Sequence, residues 1–407
     1  MNRADPEKEL EDVFHTADPK DIKEGKITDI YFARTIEILK AKKADKWVKA
    51  EFITKNLPSG WTWGVLSGIE ECVELLNNLK VSVRAMKEGT IFEPLQPVLE
   101  LEGMYTEFGL YETALLGLIC QASGIATKAA RCKKLAGERL VISFGARRMH
   151  PILAPMIERS AYIGGCDGVA VAKSAELIGE EPMGTMPHAL IIILGDTVEA
   201  LKAFHEVIDP KIKRVALVDT FGDEKFESVR AAEALGRELY AVRLDTPASR
   251  RGNFLRILQE VRWELDLRGY KNVKLFVSGG IDEASIPGLN TLVDAYGIGT
   301  SISNAPVIDF AMDIVEVEGR PLAKRGKLSG SKRVLRCPSC YRYELLPLKD
   351  RKTPCPGLTG SGRPCGATYE DLLIPLMKEG RMFSKLPRPK AIRSYVLQQM
   401  RFFEVLT

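Results

Sequence analysis

The densest group of side chains able to do chemistry lies within residues 140–196. The motif SFGARRMHP carries two adjacent arginines, Arg147 and Arg148, directly after an apolar run that is typical of a buried strand. A guanidinium binds carboxylate or phosphate through two parallel donors, so this pair indicates an anionic ligand. A second motif, GTMPH, places His188 beside Thr185. His188 is therefore a candidate general acid or base, phosphate ligand or phosphoryl acceptor.

A second anion-binding pattern comes more than a hundred residues later. Ser278, Gly279 and Gly280 end one apolar run in SGGID, and Gly299 and Thr300 end the next in GIGTS. Glycines expose backbone N–H groups, and βα barrels often bind phosphate after their last two strands. The two motifs together predict a phosphorylated substrate.

Aspartates end the apolar runs in between. Asp219 closes RVALVD and Asp245 closes YAVRLD, positions where a carboxylate suits ribose hydroxyls or a Mg²⁺ ion. Asp196, after ALIIILG, is expected instead to cap the following helix.

From about residue 138 the chain alternates short apolar strands with amphipathic helices, which is typical of a parallel sheet covered on both faces. We predict seven strands, in ERLVISF, DGVAVA, ALIIILGD, RVALVDT, YAVRLDT, VKLFVSGGID and DAYGIGTSIS. That number favours a βα barrel, with an open doubly wound sheet as the alternative. Chemistry in a barrel belongs at the carboxyl ends of the strands, and the candidate residues follow predicted strand ends or, like Thr185 and His188, precede a strand.

Four of the eight cysteines cluster near the C-terminus. Cys337 and Cys340 form a Cys-x₂-Cys pair in RCPSC, and Cys355 and Cys365 follow in TPCPG and RPCGA. Four thiolates suit a tetrahedral zinc ion, which then has no open position and is structural. The wider spacing of the second pair departs from a standard zinc ribbon. Disulfides are the alternative, although they are rare in the cytosol.

The flanking regions complete a three-part organisation. We predict that residues 1–135 form an N-terminal α+β domain, which ends in a long, mostly buried helix over ETALLGLICQASGIATKAARCKKLAG. We expect residues 136–320 to form the βα barrel with the phosphate and ribose sites. Residues 321–407 form a C-terminal zinc-knuckle and helical extension, with closing helices predicted in YEDLLIPLMKEGRM and PKAIRSYVLQQMRFF.

Composition places the chain among soluble globular proteins, with 45% hydrophobic and 28% charged residues. Its longest apolar run is too short to span a bilayer, and the charged N-terminus has no signal-peptide core. We therefore predict a cytoplasmic protein without a membrane partner. From Arg320 onward Lys and Arg outnumber Asp and Glu by 13, whereas the preceding residues carry a net charge of −9. Such a split keeps a nucleic-acid-binding role open.

Taken together, the motifs resemble the nicotinate phosphoribosyltransferase family, in particular its archaeal type with a C-terminal four-cysteine knuckle. The resemblance covers nearly the whole chain. Its carriers are TDIYF (28–32), EGTIFEPLQPVLELEG (88–103), ETALLGLI (112–119), SFGARRMHP (143–151), GGCDG (164–168), GTMPHA (184–189), VRLDT (242–246), SGGID (278–282) and GIGTS (297–301).

The resemblance implies a reaction and a fold. Nicotinate and 5-phosphoribosyl-1-pyrophosphate would give nicotinate mononucleotide and pyrophosphate, with Mg²⁺ as cofactor and ATP as an open question. The fold would be an N-terminal α/β domain on an incomplete βα barrel. The protein would be at least a dimer with shared active sites.

The resemblance also implies roles for individual residues. Phe144 and the partner subunit's Tyr31 would sandwich the pyridine ring, and Arg147 would neighbour its carboxylate. His188 matches a histidine that some relatives phosphorylate from ATP. The residues implied for the sugar, the pyrophosphate and the 5-phosphate are Asp219, Arg243, Asp245, Gly279, Gly280, Gly299 and Thr300.

Two alternative functions stay open. Quinolinate phosphoribosyltransferase shares the barrel, but it is shorter, lacks the cysteine knuckle and needs more basic residues for a second carboxylate. A zinc-ribbon nucleic-acid-binding protein on an inactive barrel would use the basic C-terminal region. There Tyr341, Tyr343 and Tyr369 offer few aromatic rings for base stacking.

Overall fold

The computed structural model describes residues 15–58, 60–350, 353–358, 362, 364–383 and 385–405, so the first residues of the predicted N-terminal domain lie outside the described part. The α-helices are α1 Pro19–Lys23, α2 Ile30–Lys42, α3 Ile69–Leu76, α4 Tyr105–Phe108, α5 Glu112–Ala136, α6 Ala154–Ile163, α7 Ala172–Ile178, α8 His188–Leu194, α9 Thr197–Val207, α10 Glu224–Leu235, α11 Ala248–Arg251, α12 Phe254–Leu267, α13 Ile286–Leu289, α14 Thr300–Ser303 and α15 Pro389–Gln399. Short 3₁₀ turns span Gly109–Tyr111, Ala146–Arg148, Pro151–Leu153, Gly236–Glu238 and Met400–Phe402.

The strands form two principal sheets and two small ones. They are β1 Trp47–Thr54, β2 Gly64–Val65, β3 Ser82–Ala85, β4 Ile91–Phe92, β5 Leu99–Met104, β6 Leu140–Ser143, β7 Gly168–Val169, β8 Arg214–Leu217, β9 Leu239–Leu244, β10 Lys274–Val277, β11 Ala295–Ile298, β12 Phe310–Val317, β13 Arg320–Pro321, β14 Lys332–Arg336, β15 Tyr343–Pro347, β16 Glu370–Asp371, β17 Ile374–Lys378 and β18 Arg381–Met382.

The first principal sheet is antiparallel and has the order β13-β12-β1-β5-β3-β17-β18. It combines strands from the N-terminal third of the chain with strands that follow the barrel, since β1 pairs with both β5 and β12. Helices α3 and α5 cover its apolar face, where Phe52, Leu99 and Leu115 are almost fully buried.

The second principal sheet is parallel and has the order β7-β6-β11-β10-β9-β8. The pairing of β11, the last strand, with β6, the first, is the connection that curls the sheet into a barrel. The barrel stays open between β7 and β8, where the chain runs through α7, α8 and α9 instead of a strand. This confirms the predicted incomplete βα barrel with an N-terminal mixed α/β domain.

One predicted strand is wrong, and it would have filled this gap. Residues 189–194 belong to helix α8, which begins at His188 after Pro187 and ends at Leu194, directly before Gly195. Gly195 has a φ of +82°, a left-handed conformation that terminates helices, and proline favours a helix start. These end signals outweigh the strand preference of three successive isoleucines. Asp196 then caps α9 by accepting from the N–H groups of residues 198 and 199, as predicted.

Helix α5 is the element shared by the packed cores. Ile119 faces the antiparallel sheet, Ile125 faces the barrel, and Ala126 faces α15 and its neighbours. Among the described residues, Tyr105–Ala136 is the helical stretch long and apolar enough to cross a membrane. Its burial in three cores makes it the central helix of a globular fold.

The C-terminal region contains a second error of prediction. Residues 370–382, expected as a helix, form β16, β17 and β18. Pro375 disfavours a helix interior, and Glu379 and Gly380 adopt φ values of +47° and +77°, which suit a tight hairpin turn. The predicted last helix is present as α15.

Candidate active site

A cavity of about 740 Å³ opens at the carboxyl ends of the barrel strands. It brings together twelve of the predicted site residues, which come from segments far apart in the chain. They are Phe144, Arg147, Arg148, Thr185, His188, Arg243, Asp245, Ser278, Gly279, Gly280, Gly299 and Thr300.

One end of the cavity is built around Phe144. Its backbone N–H donates to Ile298 O at 2.9 Å, which continues the pairing of β6 with β11. The ring lies over Gly297, where an added Cβ would sit 2.5 Å from a ring carbon. The Arg243 guanidinium lies 5.3 Å from the ring centroid, within the range of a cation–π contact. Phe144 is therefore held by Gly297 and Arg243 and stays half-buried in the cavity wall, where a planar ligand can contact its ring.

Arg147 and Arg148 follow Phe144 in the 3₁₀ turn Ala146–Arg148. The turn places both arginines in the wall of the same cavity. A planar ring that stacks on Phe144 thus finds guanidinium donors within one pocket, as an aromatic carboxylate requires.

A polar network occupies the centre of the cavity floor. The Arg243 Nε donates to Ser278 Oγ at 2.9 Å, and its Nη1 donates to Thr185 Oγ1 at 2.7 Å. Ser278 Oγ in turn donates to Asp245 Oδ1 at 2.5 Å, while Arg243 Nη2 lies 3.4 Å from Asp245 Oδ2. The network holds Asp245 in one orientation and keeps it paired with a cation.

His188, the first residue of α8, faces this network from the open side of the barrel. Its Nδ1 lies 2.9 Å from Thr220 Oγ1, and its Nε2 lies 3.6 Å from Asp245 Oδ2. The imidazole is oriented by its Nδ1 contact and exposes Nε2 to the cavity beside a carboxylate. This geometry suits proton transfer or phosphoryl acceptance at Nε2.

Asp219 does not line the cavity but lies close to His188 and Asp245. Its Oδ1 is buried and has no hydrogen-bond partner among the described residues. Burial raises the pKa of Asp219, an effect that nearby His188 and a hydrogen bond from the Asp245 backbone oppose, whereas the negative charge of the Asp245 carboxylate adds to it. A buried carboxylate oxygen without a partner is a candidate ligand for a hydroxyl group or a cation.

The other end of the cavity is lined by backbone rather than side chains. Gly279 and Gly280 adopt φ values of +74° and +68°, and a Cβ at Gly279 would lie 2.7 Å from Asp245 O. In the described part of the chain, the N–H groups of Gly279, Gly280, Thr300 and Ser301 have no acceptor. Four unpaired amides near one another form a site for an anion such as phosphate.

Sequence reasoning missed three charged residues of the wall, namely Asp282 at the end of the SGGID motif and two residues on helices. Lys128, on α5, reaches the cavity and forms a 2.9 Å ion pair with Glu283, just after the glycine motif. Glu158, on α6, is fully buried and accepts the N–H groups of Ala170 and Val171. Both side chains lie on helices predicted only as packing elements, and no local motif marks them.

Tyr31 lies elsewhere. It sits on α2 with 57% of its surface exposed and does not line this chain's cavity.

The four C-terminal cysteines come together as predicted. Their sulfur atoms all lie within 4.8 Å of one another, with Cys337 and Cys365 at 3.3 Å and Cys340 and Cys355 at 3.6 Å. Four sulfurs placed about 2.3 Å from one tetrahedral ion would be about 3.8 Å apart. The cluster can therefore hold a metal ion with four thiolate ligands.

The cysteine cluster is tied to the rest of the fold through Arg336, which directly precedes Cys337. The Arg336 guanidinium is almost fully buried and donates to Gln399 at 2.5 Å and to the Tyr395 hydroxyl at 2.8 Å, both on α15. Gln399 donates on to Gly89 O at 2.8 Å. A change at the cluster is thus transmitted to α15 and to the N-terminal domain.

Comparison with known proteins places this geometry in context. Residues 29–123 match the family described as "Quinolinate phosphoribosyl transferase, N-terminal domain", and residues 125–313 match its C-terminal domain. A nicotinate phosphoribosyltransferase of Mycobacterium tuberculosis is 30% identical over 347 residues, which cover 75% of this chain and 76% of that protein.

Solved structures agree with these matches. Nicotinate-nucleotide pyrophosphorylase from Pyrococcus furiosus has a TM-score of 0.94 and 53% identity, covering 97% of this chain and 100% of that chain. Human nicotinic acid phosphoribosyltransferase has a TM-score of 0.72 at 20% identity, covering 93% and 94% of the two chains, a likeness that establishes the shared fold.

Proposed function

Because the chain belongs to the nicotinate phosphoribosyltransferase family, we propose that it transfers the 5-phosphoribosyl group of phosphoribosyl pyrophosphate to nicotinate in NAD salvage. The products are nicotinate mononucleotide and pyrophosphate. The observation that carries the proposal is one cavity with an arginine-flanked aromatic ring at one end and unpaired glycine amides at the other.

The base binds at the Phe144 end. The pyridine ring stacks on Phe144, and Arg147 binds the carboxylate with Arg148 beside it. We propose that Tyr31 of the partner subunit closes the other face of the ring, which makes the working unit at least a homodimer. The exposure of Tyr31 on α2 leaves it available for that contact.

The phosphosugar binds at the glycine end. The N–H groups of Gly279, Gly280 and Thr300 donate to the 5-phosphate, with Lys128 adding positive charge nearby. The ribose then spans the cavity floor beside Asp245, held by Arg243 and Ser278.

In the transfer, the bond from ribose C1 to the pyrophosphate oxygen breaks and the pyridine nitrogen bonds to C1. Positive charge develops on the ribosyl group as pyrophosphate leaves, and the carboxylate of Asp245 in the cavity wall stabilises that charge, with Asp219 adding negative charge from a buried position near it. The rest of the site acts by holding the two substrates in line. Mg²⁺ would neutralise the charge of the pyrophosphate, and the carboxylates that would hold it, directly or through water, are Asp245 in the cavity wall and the buried Asp219 near it.

ATP enters the proposal through His188. Its Nε2 faces the cavity, and phosphorylation there would place a labile phosphoryl group beside Asp245. We propose that the cysteine cluster holds a structural zinc ion. We also propose that the protein is cytoplasmic. The similarity to the Pyrococcus furiosus protein supports the assignment of the chain to the archaeal type.

The family descriptions that name quinolinate favour a second candidate base. Quinolinate carries an additional carboxylate, for which Arg148 and Lys128 are the available cations in the wall. Its transfer would release carbon dioxide as well as pyrophosphate.

One assay separates these possibilities. Phosphoribosyl pyrophosphate is supplied with nicotinate, nicotinamide or quinolinate, each with and without ATP, and nucleotide products are quantified. We expect product with nicotinate. Product only with quinolinate would transfer the assignment to the second candidate, and no product with any base would refute the phosphoribosyltransferase function.

A further inference from the structure

Arg251 lies at the end of α11, beside the glycine loop but outside the cavity wall. Its Nε donates to Thr246 O at 2.6 Å, and its Nη2 donates to the carbonyl oxygens of Ser278, at 2.7 Å, and of Gly279. One planar cation therefore binds three backbone carbonyls that belong to two neighbouring strand-end loops. Within the described residues, no carboxylate is in ion-pair contact with this guanidinium.

The two loops meet at the phosphate end of the cavity. One of them carries Asp245 and the other carries the glycines. They pack so closely that a Cβ at Gly279 would lie 2.7 Å from Asp245 O. Any rotation of the glycine peptides would disturb both loops.

The carbonyls held by Arg251 determine where the glycine amides point. A trans peptide is planar, with its C=O and N–H on opposite sides. The C=O of Ser278 shares a peptide plane with the N–H of Gly279, and the C=O of Gly279 shares one with the N–H of Gly280. Fixing the two carbonyl oxygens therefore fixes the two N–H groups that have no acceptor. Because both glycines have positive φ values, their own backbone preferences do not impose this orientation.

The charge of Arg251 acts in the same direction. Burial lowers the pKa of its guanidinium, and Asp245 and Asp219 counteract that effect from a distance. The side chain stays cationic. Its positive charge attracts the carbonyl oxygens of the loop and so turns them away from an incoming anion. The Phe254 ring, with its centroid 4.5 Å from the guanidinium carbon, fixes the plane of the fork.

We propose that Arg251 is a positioning residue for the substrate's phosphate: it holds the two glycine peptides so that their N–H groups face the anion. This role rests on the proposed phosphoribosyl transfer. A lysine cannot replace it, because a single ammonium group cannot hold three carbonyls in the plane of a fork.

The test compares Arg251 with its neighbour. The variants are Arg251→Met and Arg251→Lys, and the matched control is Arg250→Met. Arg250 is exposed and its side chain has no partner among the described residues, so it loses the same charge without touching the glycine loop. Binding of ribose 5-phosphate and of inorganic phosphate is measured by thermal shift, and KM is measured for each substrate.

We expect Arg251→Met to weaken ribose 5-phosphate binding and raise the KM for phosphoribosyl pyrophosphate by about tenfold or more, the loss of one charge-assisted hydrogen bond. The nicotinate KM and the Arg250→Met control should stay at wild-type values. Equal losses in both methionine variants would overturn the role, since they would indicate charge alone. Equal rises in both KM values with a lower unfolding temperature would indicate a merely structural residue and would also overturn it.

Arg251→Lys decides the matter if Arg251→Met does not fold. Wild-type phosphate affinity in the lysine variant would contradict the positioning role, whereas weaker phosphate binding with an unchanged nicotinate KM would support it. A wild-type protein that binds neither ribose 5-phosphate nor phosphoribosyl pyrophosphate would refute the proposed function itself, a result distinct from all of these.

Discussion

Replacing Gly297 with alanine would place a methyl group directly under the ring of Phe144. The added Cβ would lie 2.5 and 2.6 Å from two ring carbons, and 3.2 Å from the ring of Phe276. Carbon atoms in contact are normally about 3.5–4.0 Å apart, so the Phe144 ring must move by about 1 Å or rotate away. Gly297 has an ordinary strand conformation, so the backbone itself is not strained.

The displaced ring should weaken binding of the pyridine base. Stacking on an aromatic side chain contributes about 1–3 kcal/mol per base. At about 1.4 kcal/mol per factor of ten, the nicotinate KM should rise by about 5- to 150-fold. The KM for phosphoribosyl pyrophosphate should change little, because its phosphate binds at the other end of the cavity. Overpacking should also cost about 1–3 kcal/mol of stability.

Steady-state kinetics in both substrates, with unfolding temperatures, would test this reasoning. Gly288→Ala is the control, since Gly288 is exposed and an added Cβ there meets no atom within 4 Å. A folded Gly297→Ala protein with a wild-type nicotinate KM would refute base stacking on Phe144. Equal rises in both KM values would instead mean that the methyl group had distorted the whole sheet end.

Three further changes have defined outcomes. His188→Ala should abolish any stimulation by ATP while transfer without ATP remains measurable, and unchanged stimulation in a coupled ATP assay would exclude His188 as the phosphoryl acceptor. Cys337→Ser should reduce bound zinc from about one ion per chain to about none. It should also lower the unfolding temperature, because Arg336 links the cluster to α15. Zinc that is retained, as measured by elemental analysis, would contradict the ligand assignment. For Glu112, burial raises the pKa from 4.5 to about 7, with Asp313 adding to the effect. The stability it contributes is present at low pH and is lost as pH rises towards 7 and above, so Glu112→Gln should unfold like wild type at pH of about 5 and at a higher temperature than wild type at pH of about 8; parallel pH profiles of the two proteins would disprove the shift.

The parts of the site that could be predicted lie directly after strands. Phe144, Asp245 and Gly279 each follow a short, mainly apolar run, and the parallel arrangement of such runs brings their carboxyl ends together. Strand recognition and one topological rule are enough to place these residues in one cavity. The same logic fails for Asp219, which does not line the cavity although it also follows a strand.

What could not be predicted depends on contacts between distant segments. Lys128 reaches the cavity from the middle of a helix whose pattern indicates only burial, and its partner Glu283 lies 155 positions later. Arg251 binds backbone carbonyls, and such contacts cannot be recognised from the residue types in a sequence. The error at 189–194 has a local cause, since its isoleucines favour a strand while Pro187 and Gly195 are the end signals of a helix. At 370–382, Pro375 and Gly380 were signals of a hairpin that the apolar spacing concealed.

The opening of the barrel between β7 and β8 creates two edge strands, which complete barrels do not have. Exposed edges present unpaired N–H and C=O groups to which another chain can add a strand. In this fold β7 is only two residues long and packs against α7, while β8 is wholly buried and packs against α9. The segment that carries His188 therefore also protects the sheet from intermolecular strand addition. Changes to its length would affect aggregation as well as catalysis.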